Sequence, residues 1–243
     1  MLHATSPAVA QCRAVSGPAT LPLVELYTSE GCDSCPPADR WLRETFPPAA
    51  RSPGAAALAF HVDYWDALGW RDRFAQHAFT ERQQEAMRAH AARTVYTPQV
   101  LIQGQDPGLW RSGAVARALR DASSRAPGAD IELAVQSAGG NFTVDARATA
   151  VQARAPALEL HVALTESALA SEVTAGENRG VRLVHDHVVR QLWTHALGPN
   201  GRAHASFTGA LPKERGQHPT LVAFVQDRRS GDVLQSLILP LCM

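Results

Sequence analysis

Two cysteines three apart, Cys32 and Cys35, follow a short apolar run and precede two prolines in "LYTSEGCDSCPPAD", residues 26–39. Thiols at that spacing can exchange disulfides, supply half of a metal site, or tie a loop. A strand followed by C-x-x-C at the start of a helix favours exchange, because unpaired N–H groups and the positive end of the helix dipole stabilise the thiolate of the first cysteine, expected to be the more exposed of the two at an accessible helix tip. Cys32 is then the nucleophile that attacks a partner disulfide, and Cys35, one turn behind, resolves the mixed disulfide. Asp33 and Ser34 lie between them. An ionised Asp33 opposes the dipole and raises the Cys32 thiol. Pro36 and Pro37 fit a first helical turn, whose amides lack intrahelical partners, although Pro36 biases Cys35 away from helical dihedrals. A zinc site needs four ligands, and His61 and Asp63 offer neither a second C-x-x-C nor a paired-His spacing, so no metal is assigned. The structural alternative is a disulfide that only staples a turn in a secreted chain.

The other two cysteines, Cys12 and Cys242, stand near the two ends of the sequence. A bridge between them ties the ends together and makes chemical sense in an oxidising compartment; two unrelated thiols are the alternative. "HVDYWDALGW" gathers Tyr64, Trp65 and Trp70 with His61, Asp63 and Asp66 just after a strand end, where α/β folds place ligand-contacting loops. It reads either as a wall of a substrate groove or as tryptophans packing inserted helices. In "VHDHVVRQLW", strand alternation puts His185 and His187 on one face, a spacing that holds copper or zinc when a third ligand converges. No third ligand is identifiable, and a solvent-facing or domain-contacting pair is the plainer reading. No G-x-G-x-x-G, G-x-x-x-x-G-K, G-x-S-x-G or H-E-x-x-H occurs, which removes the common nucleotide, serine-hydrolase and zincin readings.

The elements that must position these groups follow from local patterning. "LPLVELYT" reads as a buried strand, and Ala38, Leu42 and Phe46 space a helix that Pro47-Pro48 stops. "AAALAFHVDYW" predicts a second strand, Arg71 to Arg93 one or two helices, "TVYTPQVLIQG" a third strand after Thr97-Pro98, and Ser112 to Ser123 a helix capped by Ser112. This β-α-β-α-β-α order is the pattern of an α/β domain. Beyond a linker near "SSRAPGAD" come about seven short, mostly alternating segments separated by Gly, Asn, Pro and Ser turns, the texture of an immunoglobulin-like sandwich.

"VELYTSEGCDSCPPAD", "FHVDYWDALGW" and "VYTPQVLIQG" resemble a secreted bacterial thioredoxin-like family catalogued as a domain of unknown function, densely over residues 21–125. The resemblance implies that Cys32 and Cys35 are the active dithiol. It also implies that Pro98 is cis and lies against the disulfide, leaving the backbone of Thr97 free to pair with a substrate strand; a trans proline opening an edge strand is the alternative. Glu25 lies close to where thioredoxins keep a buried acid, and a carboxylate raised by burial there could relay the proton of Cys35. Three departures stand out: Glu25 is one residue further from the dithiol than usual, an extra helical insertion precedes the proline, and no aromatic residue directly precedes Cys32.

Across 243 residues, 23 acidic and 23 basic side chains cancel, with one lysine, Lys213, among the bases. That balance gives no nucleic-acid surface, and no run of about eighteen apolar residues marks a membrane span. Ala8 to Ala10 carry the Ala-x-Ala of a signal-peptidase site, but without a charged n-region or an apolar h-region; a plain Ala/Ser/Pro leader is the alternative. The expectation is therefore an α/β thioredoxin-like domain over 20–126 joined to an all-β immunoglobulin-like sandwich over 129–243, in a periplasmic or secreted protein. Its function is read as thiol-disulfide exchange with protein thiols, protein disulfides or small thiols, with no cofactor. The alternatives are a non-catalytic secreted binding module with a structural C-x-x-C bridge, or a copper- or zinc-binding protein.

Overall fold

All six residues of Leu23–Thr28 and all six of Ala56–His61 are buried. Strands apolar on both faces need cover on both sides and neighbours on both edges. How the chain supplies that cover decides the architecture. A computed structural model describes residues 9–48, 54–92, 94–152 and 157–243, so Ala8 of the expected Ala-x-Ala and the residues before it lie outside the described residues. In the first half lie β1 (Ala10–Val15), β2 (Leu23–Thr28), α1 (Pro36–Thr45), β3 (Ala56–His61), α2 (His77–Ala89), β4 (Gln99–Ile102) and α3 (Gly113–Ser123). The second half is entirely strands: β5 (Ala129–Ala138), β6 (Asn141–Ala150), β7 (Leu158–Ser167), β8 (Leu169–Glu172), β9 (Arg182–His185), β10 (Val188–Ala196), β11 (Arg202–Ala210), β12 (Gln217–Asp227) and β13 (Val233–Pro240).

The helices of the first half form where spacing and caps predict them. Ser112 caps α3 by accepting a hydrogen bond from the Ala114 amide at 3.3 Å, and α1 carries its prolines in the first turn with Cys35 as N-cap. The assembly differs from expectation. The α/β thioredoxin-like unit beside a separate sandwich does not exist; the protein is β-rich, with three α-helices among the described residues and one large mixed sheet in the order β13-β12-β7-β10-β3-β2-β4. The edge of β3 is taken by β10, parallel, through the pair Val188 and Ala59, and the Ala59 amide donates to the His187 carbonyl at 2.8 Å.

Burial explains the fusion. On one face of β2 and β3, Val24, Leu26, Ala57 and Ala59 pack with Leu42 of α1 and Val115 of α3. On the other, Tyr27, Phe60 and Phe79 of α2 share a core with Val189, Val222 and Phe224 of the later strands. The short helices cover only part of the surface these strands must bury, and the second half supplies the rest. Its far side packs against a four-stranded antiparallel sheet, β1-β5-β6-β11, over a core of Leu133, Val144, Leu160 and Leu221. A sandwich is thus present, but one of its sheets includes the strands expected to stand apart.

Cys12 and Cys242 form a disulfide across 230 residues of sequence, joining β1 to the segment after β13. Closing so long a loop removes much of the unfolded chain's freedom. Replacing both cysteines by alanine is expected to lower the unfolding free energy by about 4 kcal/mol, read from the urea midpoint. A midpoint within error of the parent would show that β1 is held by its pairing with β5 alone.

Candidate functional site

β2 ends at Thr28 and leads straight into the C-x-x-C turn. β4 runs antiparallel to β2 with Gln99 opposite Tyr27, so Pro98 arrives at the same strand end as the cysteines. The Thr97-Pro98 bond is cis. Trp65 joins the two features: its indole donates to the Thr97 hydroxyl at 2.8 Å, and a Cβ on Gly31 would lie 3.1 Å from its own Cβ. A side chain at residue 31 would push this tryptophan away from the turn. Trp70 donates to Glu30 Oε2 at 2.8 Å, while Tyr64 stays partly exposed and donates to Gln83. The two tryptophans therefore pack their loop against Glu30, Gly31 and Thr97, next to the C-x-x-C turn in the chain.

Cys32 and Cys35 are joined by a disulfide, and each has 0% of its surface exposed, so Cys32 is not the accessible, more exposed cysteine that its place ahead of the helix predicted. Asp33 and Ser34 are exposed above them, with the Ser34 hydroxyl 3.4 Å from the Cys32 sulfur. Beneath this turn lies a buried polar cluster that sequence reasoning did not assemble: Glu30, Asp39, His61, Asp72 and His185. His61 Nδ1 meets Asp72 Oδ2 at 2.6 Å, and Asp72 also accepts from the amides of Glu30 and Phe74 at 2.9 and 2.8 Å. The rings of His61 and His185 meet edge to face, 4.8 Å between centroids. His185 stands between two carboxylates, with Nε2 3.3 Å from Glu30 and Nδ1 3.8 Å from Asp39. Neither His185 nitrogen, nor His61 Nε2, nor Glu30 Oε1 has an aligned hydrogen-bond partner.

Opposing terms set the charges here. Burial alone disfavours every ionised form. It lifts the Asp39 carboxyl above the usual carboxylate range. Burial works against His61 as well, but the Asp72 carboxylate prevails and raises the imidazole above its ordinary value. For Asp72, burial is likewise overcome by the His61 charge, and the carboxyl is held well below its usual range. Glu30 is also lowered: burial is outweighed by the contact with His185. The cluster thus contains an ion pair beside a carboxyl that resists ionisation, a combination able to hold and release a proton.

Glu25 points elsewhere. It alternates onto the α2 face of β2, where Arg82 Nη2 lies 2.7 Å from its Oε1 and Nε donates to the same oxygen at 2.8 Å. Arg82 also donates to Gln226 and sits over the rings of Phe60 and Phe224. His185 and His187 do not share a strand face, because β9 ends at His185 and His187 turns the chain at φ 57° before β10. The His187 Nε2 lies 2.6 Å from the Phe46 carbonyl instead. Among the described residues no group of three His, Cys, Asp or Glu side chains has the geometry to hold a metal ion. Asp63 is bound by His77 and Thr80 at the start of α2, and Asp66 accepts from the Asp72 amide at 3.1 Å.

Glu30 and Asp39 sit inside the cysteine motif itself, two residues before Cys32 and four after Cys35. The four-residue step puts Asp39 on the same helical face as Cys35, a signal the sequence carried. Asp72 and His185 gave none, since each reaches the cluster only through tertiary packing.

The fold and site define a β-rich protein with a buried C-x-x-C disulfide set on a histidine-carboxylate cluster, and no helix among the described residues is long and apolar enough to cross a membrane. The chain belongs to the family described as "Protein of unknown function (DUF1223)", matched over residues 23–226. It is similar to the X-ray crystal structure of a protein from Agrobacterium tumefaciens, at 25% identity and a TM-score of 0.63, covering 91% of this chain and 95% of that one. It also resembles HBP35 of Porphyromonas gingivalis in fold alone, at 12% identity and a TM-score of 0.66, covering 93% of this chain and 76% of that one. No curated protein matches the chain.

Proposed function

We propose that the protein exchanges thiols and disulfides through Cys32 and Cys35, in the periplasm or outside the cell. One observation carries the reading: the bridge closes the turn that leads into α1, and Glu30 and Asp39 on either side of it belong to a group of five buried titratable side chains, several of their polar atoms unpartnered. Unpaired buried polar groups cost stability, so a cluster of them beside a disulfide is better explained by use than by packing. Cys32 precedes the helix, where N–H groups favour a thiolate, and Cys35 resolves. The two disulfides are compatible with an oxidising compartment.

A second reading draws on the complete burial of both sulfurs. On that view the bridge is a fixed staple in a secreted binding module. Mild dithiothreitol followed by thiol labelling at neutral pH separates the two. An exchanging pair is expected to open and then to equilibrate in a glutathione buffer within the range of known oxidoreductases, whereas a staple resists mild reduction. Cys35→Ser is expected to trap mixed disulfides through Cys32. Trapping only by Cys32→Ser would reverse the roles.

A further inference from the structure

A loop from the other half of the chain is hydrogen-bonded to the backbone on which the bridge is built. Residues 173–181 connect β8 to β9, and they close on themselves: the Val173 amide donates to Val181 at 3.0 Å, Gly180 to Val173 at 2.7 Å and Val181 to Asn178 at 3.1 Å. β8 and β9 pair only with each other, apart from both larger sheets. From the tip, the Asn178 carboxamide donates to the carbonyls of Glu30 and Cys32, each at 2.9 Å, and the Asp33 amide donates to Glu177 Oε2 at 3.2 Å. Gly176, at φ 71°, seats the loop against Trp70, whose Cβ would lie 3.0 Å from a Cβ placed there.

Residues 30–33 therefore present two carbonyl acceptors and one N–H donor around the disulfide. In a strand pair such groups are met by the N–H and C=O of an extended backbone. Here they are met by side chains, a carboxamide and a carboxylate that together offer the donor and acceptor of a peptide group. Asp33 and Ser34, exposed at the same place, leave room for a chain to lie across.

We propose that Glu177 and Asn178 occupy, in the resting protein, the edge on which a partner polypeptide binds, so that the partner is an extended peptide segment bearing a cysteine or disulfide. This rests on the exchange reading and names its partner class. The partner backbone displaces loop 173–181 and takes over its hydrogen bonds to Cys32 and Asp33. In the oxidised protein a cysteine thiolate of the partner attacks the Cys32 sulfur: the Cys32–Cys35 bond breaks, Cys35 leaves as a thiolate that takes a proton from water, and a Cys32–partner disulfide forms. In Cys35→Ser, where Cys32 is a free thiol, the same mixed disulfide forms when the Cys32 thiolate attacks a partner disulfide, whose S–S bond breaks and whose departing thiolate takes the proton.

The test uses Cys35→Ser, in which that mixed disulfide persists, and three probes: a disulfide-linked dimer of a short single-cysteine peptide, the same dimer N-methylated at the amides flanking cysteine, and hydroxyethyl disulfide. The peptide dimer is expected to react fastest, and N-methylation to slow it about fivefold, the loss of one hydrogen bond. Adding Asn178→Ala is expected to speed hydroxyethyl disulfide about twentyfold, because two hydrogen bonds no longer hold the loop closed. Glu177→Ala, which removes an exposed side chain, gives a smaller rise in the same direction and serves if Asn178→Ala unfolds. Equal rates for the parent and N-methylated peptides, or loop variants that leave the rates unchanged, would overturn the inference while exchange itself stands. Absence of any reaction at Cys32 even in the loop variants would instead sink the exchange reading.

Discussion

Asp72→Ala is expected to lower the unfolding free energy by about 4 kcal/mol, the scale for breaking a buried ion pair by removing one partner. The carboxylate is fully buried and serves three donors, His61 and the amides of Glu30 and Phe74. Its loss leaves a buried imidazole without its counter-charge and two amides without acceptors. The same pair fixes a pH dependence. His61 is raised, so its contribution is fully present below the ordinary histidine value of about 6.5 and fades as pH rises through its folded value. Asp72 is lowered, so its contribution is present above about 3.9 and fades as pH falls through its folded value. The pair therefore stabilises most between about pH 4 and 6.5. Asp39, raised by burial, acts oppositely: its ionisation costs stability as pH climbs through the acid range. Comparing urea unfolding of the parent and Asp72→Ala across pH cancels that background. The alkaline decline is expected to vanish in the variant, and an unchanged decline would assign it to other groups.

Arg82→Ala should be nearly as costly, again about 4 kcal/mol, because it strands the Glu25 carboxylate in the core between β2 and α2. The guanidinium also fills the space between Phe60 and Phe224, so truncation opens a gap as well. The double variant Glu25→Gln, Arg82→Met replaces the charged pair by neutral groups of similar volume, and is expected to recover most of the loss. Its rate of disulfide exchange carries separate information. With Glu25 held by Arg82 on the α2 face, the double variant is expected to exchange at the parent rate; a tenfold or greater fall would return the proton relay to Glu25.

Much of the local structure was legible in the residues alone. The C-x-x-C at a helix start, the prolines of the first turn, the Ser112 cap and the two all-buried strands depend on neighbours within a few positions, where spacing and backbone chemistry act directly. A cis proline at the strand end beside the cysteines was implied by resemblance to a known family and is present. The pairing of Cys12 with Cys242 was one of two open readings, since connectivity depends on which chain ends meet.

The domain architecture and the composition of the site were decided by tertiary structure. Short apolar strands announce that they must be buried, but not which strand takes their edge. β10 does so from more than 120 residues away, turning an expected α/β unit into part of a β-rich whole. In the same way a histidine in an alternating run carries no sign of its partners. His185 meets Glu30 and Asp39, and Asn178 bonds the Cys32 carbonyl, only because β8 and β9 bring their residues to the turn. The sequence by itself determined the C-x-x-C pair and the elements that carry it, through interactions of short range along the chain. Which groups surround that pair and which loop bonds its backbone rest on contacts between distant segments, whose energies depend on packing in space and leave no period or spacing in the sequence.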